Sequence, residues 1–322
     1  MENPEQEKKA VIFTTKDTSD TFEIIWGKIK NFFKSNDDTV KEIIIGPKDT
    51  VRKQLCNCPK TKNRNYCDNI YEILQMIKTK TTNNSKILYQ NLLSLNDNLL
   101  DIKGDNLRQI KKDTCRTYSN YIPLEEKKQI FNKLENVLKA FSNYDNRIKY
   151  YQGMNFIVAF FLFHCEEDIA FWLFVSLIEE YELRYLFMDN FPGLKVHIKR
   201  VEEILKNEYE SIYDCFQKIG VKLDIFMIEW LFSLFSSLIP LELQMDFYKG
   251  FFSEGWIFFY KMCISAILNI KGKFSEEDEI YLALKNGKNG EDKKEDVIKK
   301  KWKNIIQKAY GLEIKTDVMK IK

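Results

Sequence analysis

The apolar residues of this chain recur with the periodicity of helices rather than strands. Between Leu124 and Phe141 they are spaced three and four residues apart, and Pro123 stands where a helix can begin. Glycine (12) and proline (6) are scarce among the 322 residues. The pattern predicts an all-α fold, with helices over 20–34, 124–141, 166–187, 195–219, 223–238, 240–251, 255–268, 276–284 and 296–310.

Breaks in the pattern suggest a domain order. The strongest breaks are Gly46-Pro47 and Pro192-Gly193. The polar stretch 57–98 is rich in Asn, Lys and Thr, so we expect loops there apart from a short helix near 70–77. The predicted order is an N-terminal helical extension, a first lobe and a second lobe with tail helices, over 1–40, 41–190 and 191–322.

Charge and cysteine content narrow the class of protein. Lys and Arg total 50 against 47 Asp and Glu, a net charge of +3 with both signs interleaved, which argues against a nucleic-acid partner. No apolar run approaches the roughly 20 residues of a membrane-spanning helix. The seven cysteines are an odd number and lie mostly in apolar helical patterns, so we expect reduced thiols in the cytoplasm. We interpret Cys56, Cys58 and Cys67 as loop residues rather than zinc ligands.

The sequence lacks the common catalytic and cofactor motifs. It contains no GxxxxGK[ST] or GxGxxG phosphate-binding loop, no HExxH and no GxSxG, and it has two histidines in all. We therefore expect neither an independent reaction nor a resident cofactor or metal.

Two short segments carry the most specific signal. The first is IKKDTCRT over 110–117, and the second is YYQGMNF over 150–156. They resemble the IxxDxxRT and YxQGMN signatures of the TBC-domain Rab GTPase-activating proteins. The similarity continues in order over 170–187, 191–205 and 228–255. The resemblance implies a two-lobed all-α TBC domain.

The resemblance also implies a mechanism in which two side chains are lent to a GTP-bound Rab-type GTPase. Arg116 would be the arginine finger, because an always-charged planar guanidinium can neutralise charge that builds on the transferred phosphoryl group. Gln152 would be the glutamine finger that orients the attacking water. GTP and Mg²⁺ would belong to the partner, so the protein would be an activator rather than an enzyme.

Five neighbouring residues are assigned supporting roles. Asp113 lies three positions before Arg116 and would hold the arginine in place. Gly153 would permit a close approach of the backbone to the nucleotide. The remaining supporting residues shape the two motifs: Thr117, Tyr150 and Asn155.

Two departures from the family pattern keep alternatives open. Arg52 and Cys56 stand where the family has an Arg and a Trp four residues apart, and Gln244-Met245 precede Asp246 in place of an Arg and a Trp. We interpret the second departure as altered packing.

The first alternative is a scaffold of the same fold that binds a GTPase without activating it. The second is a helical protein whose basic segments bind RNA or acidic membrane, for which Lys299 to Lys303 is a candidate. Because Rab proteins are anchored in membranes, the main hypothesis places the protein in the cytoplasm with recruitment to endomembranes.

Overall fold

The computed structural model describes residues 83–95, 101–145, 147–270, 279–280, 284 and 295–318. The predicted N-terminal extension and its helix over 20–34 lie outside the described residues, as do Arg52 and the three clustered cysteines. Most of the helix predicted over 276–284 lies outside them as well.

The regular secondary structure of the described residues is entirely helical, with no β-strand, which confirms the all-α prediction. We number their helices in chain order. They are α1 Asn83–Ser94, α2 Asp101–Thr114, α3 Leu124–Tyr144, α4 Met154–Leu162, α5 Glu167–Glu180, α6 Arg184–Phe187, α7 Pro192–Glu208, α8 Glu210–Ile219, α9 Asp224–Ser233, α10 Leu241–Glu254, α11 Trp256–Leu268 and α12 Glu295–Gly311.

Some boundaries differ from the periodicity. The helix predicted over 166–187 is broken into α5 and α6, because Glu182 has a left-handed backbone (φ 60°) and the carbonyl of Tyr181 accepts a hydrogen bond from Trp256 Nε1 at 2.8 Å. The helix predicted over 195–219 is likewise interrupted at Tyr209 (φ −138°). At the first of these two points a tertiary contact thus overrides local periodicity.

Helix α1 lies in a stretch where the sequence predicted loops. Tyr89 and Leu92 are both 4% exposed, so this short helix is held by the apolar surface that it covers. The Tyr89 ring contacts Phe171 of α5 (centroids 5.1 Å apart), and its hydroxyl donates to Glu167 at 2.5 Å. The sequence pattern did not predict α1 because most residues of this segment are polar.

The core is centred on α4 and α11. All residues of α4 except Phe156 are buried, as expected of a helix that is apolar on every side. Phe160 of α4 stacks on Tyr248 of α10 with ring centroids 4.2 Å apart. Burial of each such side chain contributes about 1.5–3 kcal/mol. The residues that precede α4 are therefore attached to a rigid element.

A sharp corner joins α9 to α10, and we call residues 232–240 the α9–α10 corner. Leu234 (φ 45°) and Phe235 (φ 60°) both have left-handed backbones, and the amide of Phe235 closes α9 by donating to the Trp230 carbonyl at 3.0 Å. The Phe235 ring is fully buried against Phe259 at 5.1 Å between centroids. This packing compensates the strain of the left-handed residues.

None of the helices in the described ranges is long and apolar enough to cross a membrane. The cysteines among these residues, Cys115, Cys165, Cys215 and Cys263, are all free thiols.

Candidate functional site

The first motif forms a tight turn after α2, and we call residues 113–118 the arginine loop. The amide of Arg116 donates to the Asp113 carbonyl at 3.2 Å, and that of Thr117 donates to the Thr114 carbonyl at 3.1 Å. These short-range bonds replace the helical ladder and turn the chain. The Arg116 side chain points to solvent with 50% of its surface exposed.

Asp113 is the anchor of this loop. Its carboxylate is fully buried and pairs with the Arg116 guanidinium, with 2.6 Å between Oδ1 and Nη2. Gln109 Nε2 donates to both carboxylate oxygens at 3.1 and 3.0 Å. A buried charge is tolerated only when it is paired and hydrogen-bonded, as it is here. Because a guanidinium has five N–H donors, the exposed face of Arg116 can still meet another anion.

The second motif lies at the end of a loop that follows α3, and we call residues 145–153 the glutamine loop. Asp145, at its start, is buried and accepts bonds from the Arg147 backbone at 3.0 Å and from the Arg147 Nε at 3.2 Å. Arg184 of α6 pairs with both Asp145 and Glu179. Burial raises the pKa of Asp145, but hydrogen bonds from Arg147 and Arg184 outweigh it and hold that pKa below its ordinary value.

At the other end of this loop, Gly153 is fixed by lack of space. Its φ of 124° is accessible only to glycine at low cost. A Cβ at this position would lie 2.5 Å from the Phe232 carbonyl oxygen of the α9–α10 corner. Only glycine therefore allows the loop to approach the corner so closely. The close approach to a nucleotide that was predicted for Gly153 stays a prediction.

Tyr151 fills the space beside Gly153. Its ring contacts the rings of Phe187, Phe191 and Phe232, with centroids 6.1, 5.0 and 5.9 Å apart. The neighbouring Gln152 is exposed. With Tyr151 packed inward and Gly153 against the corner, the Gln152 backbone is held while its side chain faces solvent.

A buried ring of hydrogen bonds joins the two loops. Tyr150 Oη lies 2.9 Å from Asp113 Oδ2 and 3.1 Å from Asn155 Oδ1. Asn155 Nδ2 donates to Thr117 Oγ1 at 2.8 Å, and Thr117 Oγ1 donates to the Asp113 carbonyl at 2.7 Å. The Gly153 amide also donates to Asn155 Oδ1 at 2.9 Å. All predicted supporting residues thus meet in one network.

The electrostatics of this ring keep its tyrosine protonated. Burial, and then the nearby Asp113 carboxylate, raise the pKa of Tyr150. Its hydroxyl therefore remains a hydrogen-bond donor at neutral pH. Asp113 and Asn155 are both 0% exposed, so the bonds between the loops form away from competing water.

The site thus presents a cation and a neutral amide on neighbouring loops, with the groups that position them buried beneath. Chemically, such a pair can neutralise negative charge and orient a water. No cluster of His, Cys, Asp and Glu that could hold a metal ion exists among the described residues.

The sequence did not indicate what lies under these loops. Tyr118 and Gln244 are bonded although they are 126 residues apart, and Gly153 contacts Phe232. The sequence predicted altered packing at Gln244-Met245, and in the structure Gln244 is fully buried with its amide donating to the Ile239 carbonyl. No local pattern reveals such long-range partners.

Comparison with known proteins identifies the family. The model of the Rab-GTPase-TBC domain matches residues 60–274, and this chain belongs to that family. The match includes both loops and the α9–α10 corner. It begins after Arg52 and Cys56.

The curated relatives include named GTPase-activating proteins. GTPase-activating protein GYP5 of Eremothecium gossypii is 29% identical over 184 residues, which are 57% of this chain and 21% of that protein. The Rab GTPase-activating protein eat-17 of Caenorhabditis elegans is 29% identical over 187 residues, 56% of this chain and 21% of its own. The matched region thus spans about a fifth of these relatives.

Solved structures share the fold. The Ypt/Rab-GAP domain of Gyp1p superposes with a TM-score of 0.62 at 17% identity, over 89% of this chain and 97% of that one. The Chlamydomonas flagellar RabGAP TBC domain gives a TM-score of 0.57 at 16% identity, over 90% and 93% of the two chains. At these identities the likeness establishes the fold as that of a TBC domain.

Proposed function

We propose that this protein is a GTPase-activating protein for a Rab-type small GTPase, to which it lends Arg116 and Gln152 in trans. The observation that carries the proposal is the buried ring of Asp113, Tyr150 and Asn155, together with Thr117, which ties the two loops together and leaves both fingers exposed. The names of its relatives support the same class of partner.

The geometry suits phosphoryl transfer. Negative charge develops on the transferred group and on the leaving oxygen, and a preorganised cation at that place typically accelerates hydrolysis by about 10³ to 10⁵-fold. Arg116 can meet this charge with its exposed N–H groups while Asp113 keeps it oriented. Gln152 supplies an amide that can accept from the attacking water and donate to a phosphate oxygen.

On this proposal the nucleotide and Mg²⁺ are held by the GTPase, and the protein performs no reaction by itself. Its partner would be a GTP-loaded, membrane-anchored Rab, so the protein would act on the cytoplasmic face of endomembranes. Because such a Rab is attached to a membrane, binding to it would also bring this protein to the membrane surface.

The test is a phosphate-release screen of the full chain against every GTP-loaded Rab of the source organism. With the responding Rab, Arg116→Ala should lower kcat by about 10³-fold or more, and Gln152→Ala should lower it by about 10² to 10³-fold. The matched control is Arg108→Ala, which removes an exposed arginine from the same helix-and-turn segment.

Binding of each variant to the same Rab separates chemistry from recognition. We expect both finger variants to bind within severalfold of the wild type. If some Rab in the panel binds but no Rab hydrolyses its GTP faster, the protein is a scaffold of the same fold rather than an activator. Stimulation that survives both substitutions would overturn the two-finger mechanism.

A further inference from the structure

The arginine loop ends in a strained residue. Tyr118 lies two positions after Arg116, is 8% exposed, and has φ of 48°, a left-handed conformation that non-glycine residues rarely adopt. Strain of this kind persists only where surrounding contacts impose it. The Tyr118 ring is held edge-on by Phe156 and Phe163, with centroids 5.2 and 5.7 Å apart.

The Tyr118 hydroxyl is bound by the α9–α10 corner. It donates to the Ser236 carbonyl at 2.7 Å, and its oxygen accepts from Gln244 Nε2 at 2.8 Å. Gln244 lies in the first turn of α10 and is 0% exposed. Its amide nitrogen also lies 2.9 Å from the carbonyls of Ser236 and Ile239.

Gln244 thus connects the corner to the arginine loop through hydrogen bonds. Its two N–H groups face the backbone of the corner and the tyrosine oxygen, while Tyr118 occupies the Ser236 carbonyl. Burial raises the pKa of Tyr118, so the hydroxyl stays protonated and able to donate. The same corner receives Gly153 at its Phe232 end. Both finger loops therefore rest on one short segment.

We propose that Gln244 and Tyr118 are a positioning pair that fixes where the arginine loop, and with it Arg116, stands relative to Gln152. Tyr118 acts through the backbone and touches no reacting atom. Asp113 orients the guanidinium, whereas the Tyr118–Gln244 bond places the turn that carries it. The kinetic consequence rests on the proposed function, but the conformational one does not.

A purely structural reading predicts a different result. If the bond only stabilised the core, its loss would lower the free energy of unfolding and leave the mobility and reactivity of the loop unchanged. The chain offers a matched control for this reading. Tyr248 is also fully buried, and its hydroxyl also bonds to Ser236, but this 2.8 Å hydrogen bond goes to the Oγ atom within the corner rather than to a residue of the arginine loop.

The first experiment needs no GTPase. A nitroxide label is placed on the exposed Cys115, beside Arg116, in full-length protein whose exposed Cys215 and the cysteines at 56, 58 and 67 are replaced by serine. Tyr118→Phe and Gln244→Met should each sharpen the electron paramagnetic resonance spectrum, whereas Tyr248→Phe should not. Equal spectra for Tyr118→Phe and Tyr248→Phe at matched stability would overturn the proposal.

The second experiment uses the GTP-loaded Rab that responds in the hydrolysis screen. Tyr118→Phe and Gln244→Met should lower kcat between about tenfold and 10²-fold, since small misplacements of catalytic groups have such effects, while KM changes by less than about threefold. Tyr248→Phe should keep kcat within about twofold.

A double-mutant cycle assigns the effect to Arg116. In an Arg116→Ala background, Tyr118→Phe should cause no further loss of kcat, because the pair acts only through the arginine. The full tenfold loss in that background would overturn the proposal. Should Arg116→Ala itself have no effect, the proposed function fails, and the spectra of labelled Cys115 still decide whether the loop is positioned by Gln244.

Discussion

The arginine loop and the glutamine loop are both fixed on the α9–α10 corner, but by different means. The arginine loop is held by side-chain polar contacts: the Asp113 ion pair, and the Tyr118 bond to Gln244. The glutamine loop is held at its end by steric fit, with the Gly153 backbone against Phe232 and the Tyr151 ring among aromatic side chains.

On the proposed function, the difference follows from what each of the two side chains, Arg116 and Gln152, must present to the GTPase. A long charged side chain has many rotamers, so a buried carboxylate is needed to restrict a guanidinium before its target arrives. An amide on a shorter side chain needs mainly a fixed backbone, which close packing of Gly153 supplies. The two loops should therefore respond differently to added bulk and to lost charge.

The largest expected effect is that of bulk in the glutamine loop. Gly153→Ala would place a methyl group 2.5 Å from the Phe232 carbonyl oxygen at a φ of 124°. We expect the free energy of unfolding to fall by about 3 kcal/mol, because overpacking and backbone strain add. Urea denaturation measures this change.

Gly220→Ala is the matched control for Gly153→Ala. Gly220 also has a positive φ (86°), but nothing lies within 4 Å of a Cβ added there. Gly220→Ala should lower the free energy of unfolding only by the cost of backbone strain, about 1 kcal/mol. Equal losses for the two variants would mean that the contact with Phe232 does not fix the loop.

The fold was largely readable from the sequence. Regular apolar spacing located α3 and α12 within a few residues, and few glycines left little doubt about the all-α class. Periodicity missed α1 because its two buried side chains, Tyr89 and Leu92, are a small part of a polar segment. It also joined α5 to α6, since the hydrogen bond from Trp256 that ends α5 comes from a distant part of the chain.

Only part of the candidate site could be predicted from the sequence, namely the residues of the two motifs. The residues of the two motifs could be named from local sequence, and the structure brings Asp113, Tyr150 and Asn155 into contact. The residues below them could not be named. Ser236 and Gln244 contact Tyr118 across more than a hundred positions of the chain, and such pairing depends on the fold rather than on any motif.

Removing a charge from the arginine loop should lower the free energy of unfolding by less than Gly153→Ala does. Asp113→Asn removes the ion pair with Arg116 and directs an amide toward the donors Gln109 and Tyr150. We expect a loss of about 2 kcal/mol in the free energy of unfolding, since buried donors lose their acceptor, and a decrease in kcat with the responding Rab. Urea denaturation and phosphate release measure the two quantities.

Asp105→Asn provides the comparison for Asp113→Asn. Asp105 and Arg108 form an ion pair with the same three-residue spacing in α2, but their side chains are 84% and 81% exposed. Exposed pairs contribute little, so stability and kcat should remain as in the wild type. If both substitutions behaved alike, burial of Asp113 would not be what orients Arg116.

The smallest expected effect is on stability at low pH and concerns Asp145, the buried carboxylate at the start of the glutamine loop. Because bonds from Arg147 and Arg184 hold the pKa of Asp145 below its ordinary 3.8, the unfolded chain takes up a proton first as pH falls. The stabilisation is complete above that value and is lost as pH drops through it toward the folded-state pKa. Urea denaturation at about pH 5 and about pH 3 should therefore show a smaller pH-dependent loss for Asp145→Asn than for the wild type, with Arg147→Ala between them. Identical losses in all three proteins would mean that the ion pairs of Asp145 do not stabilise this loop.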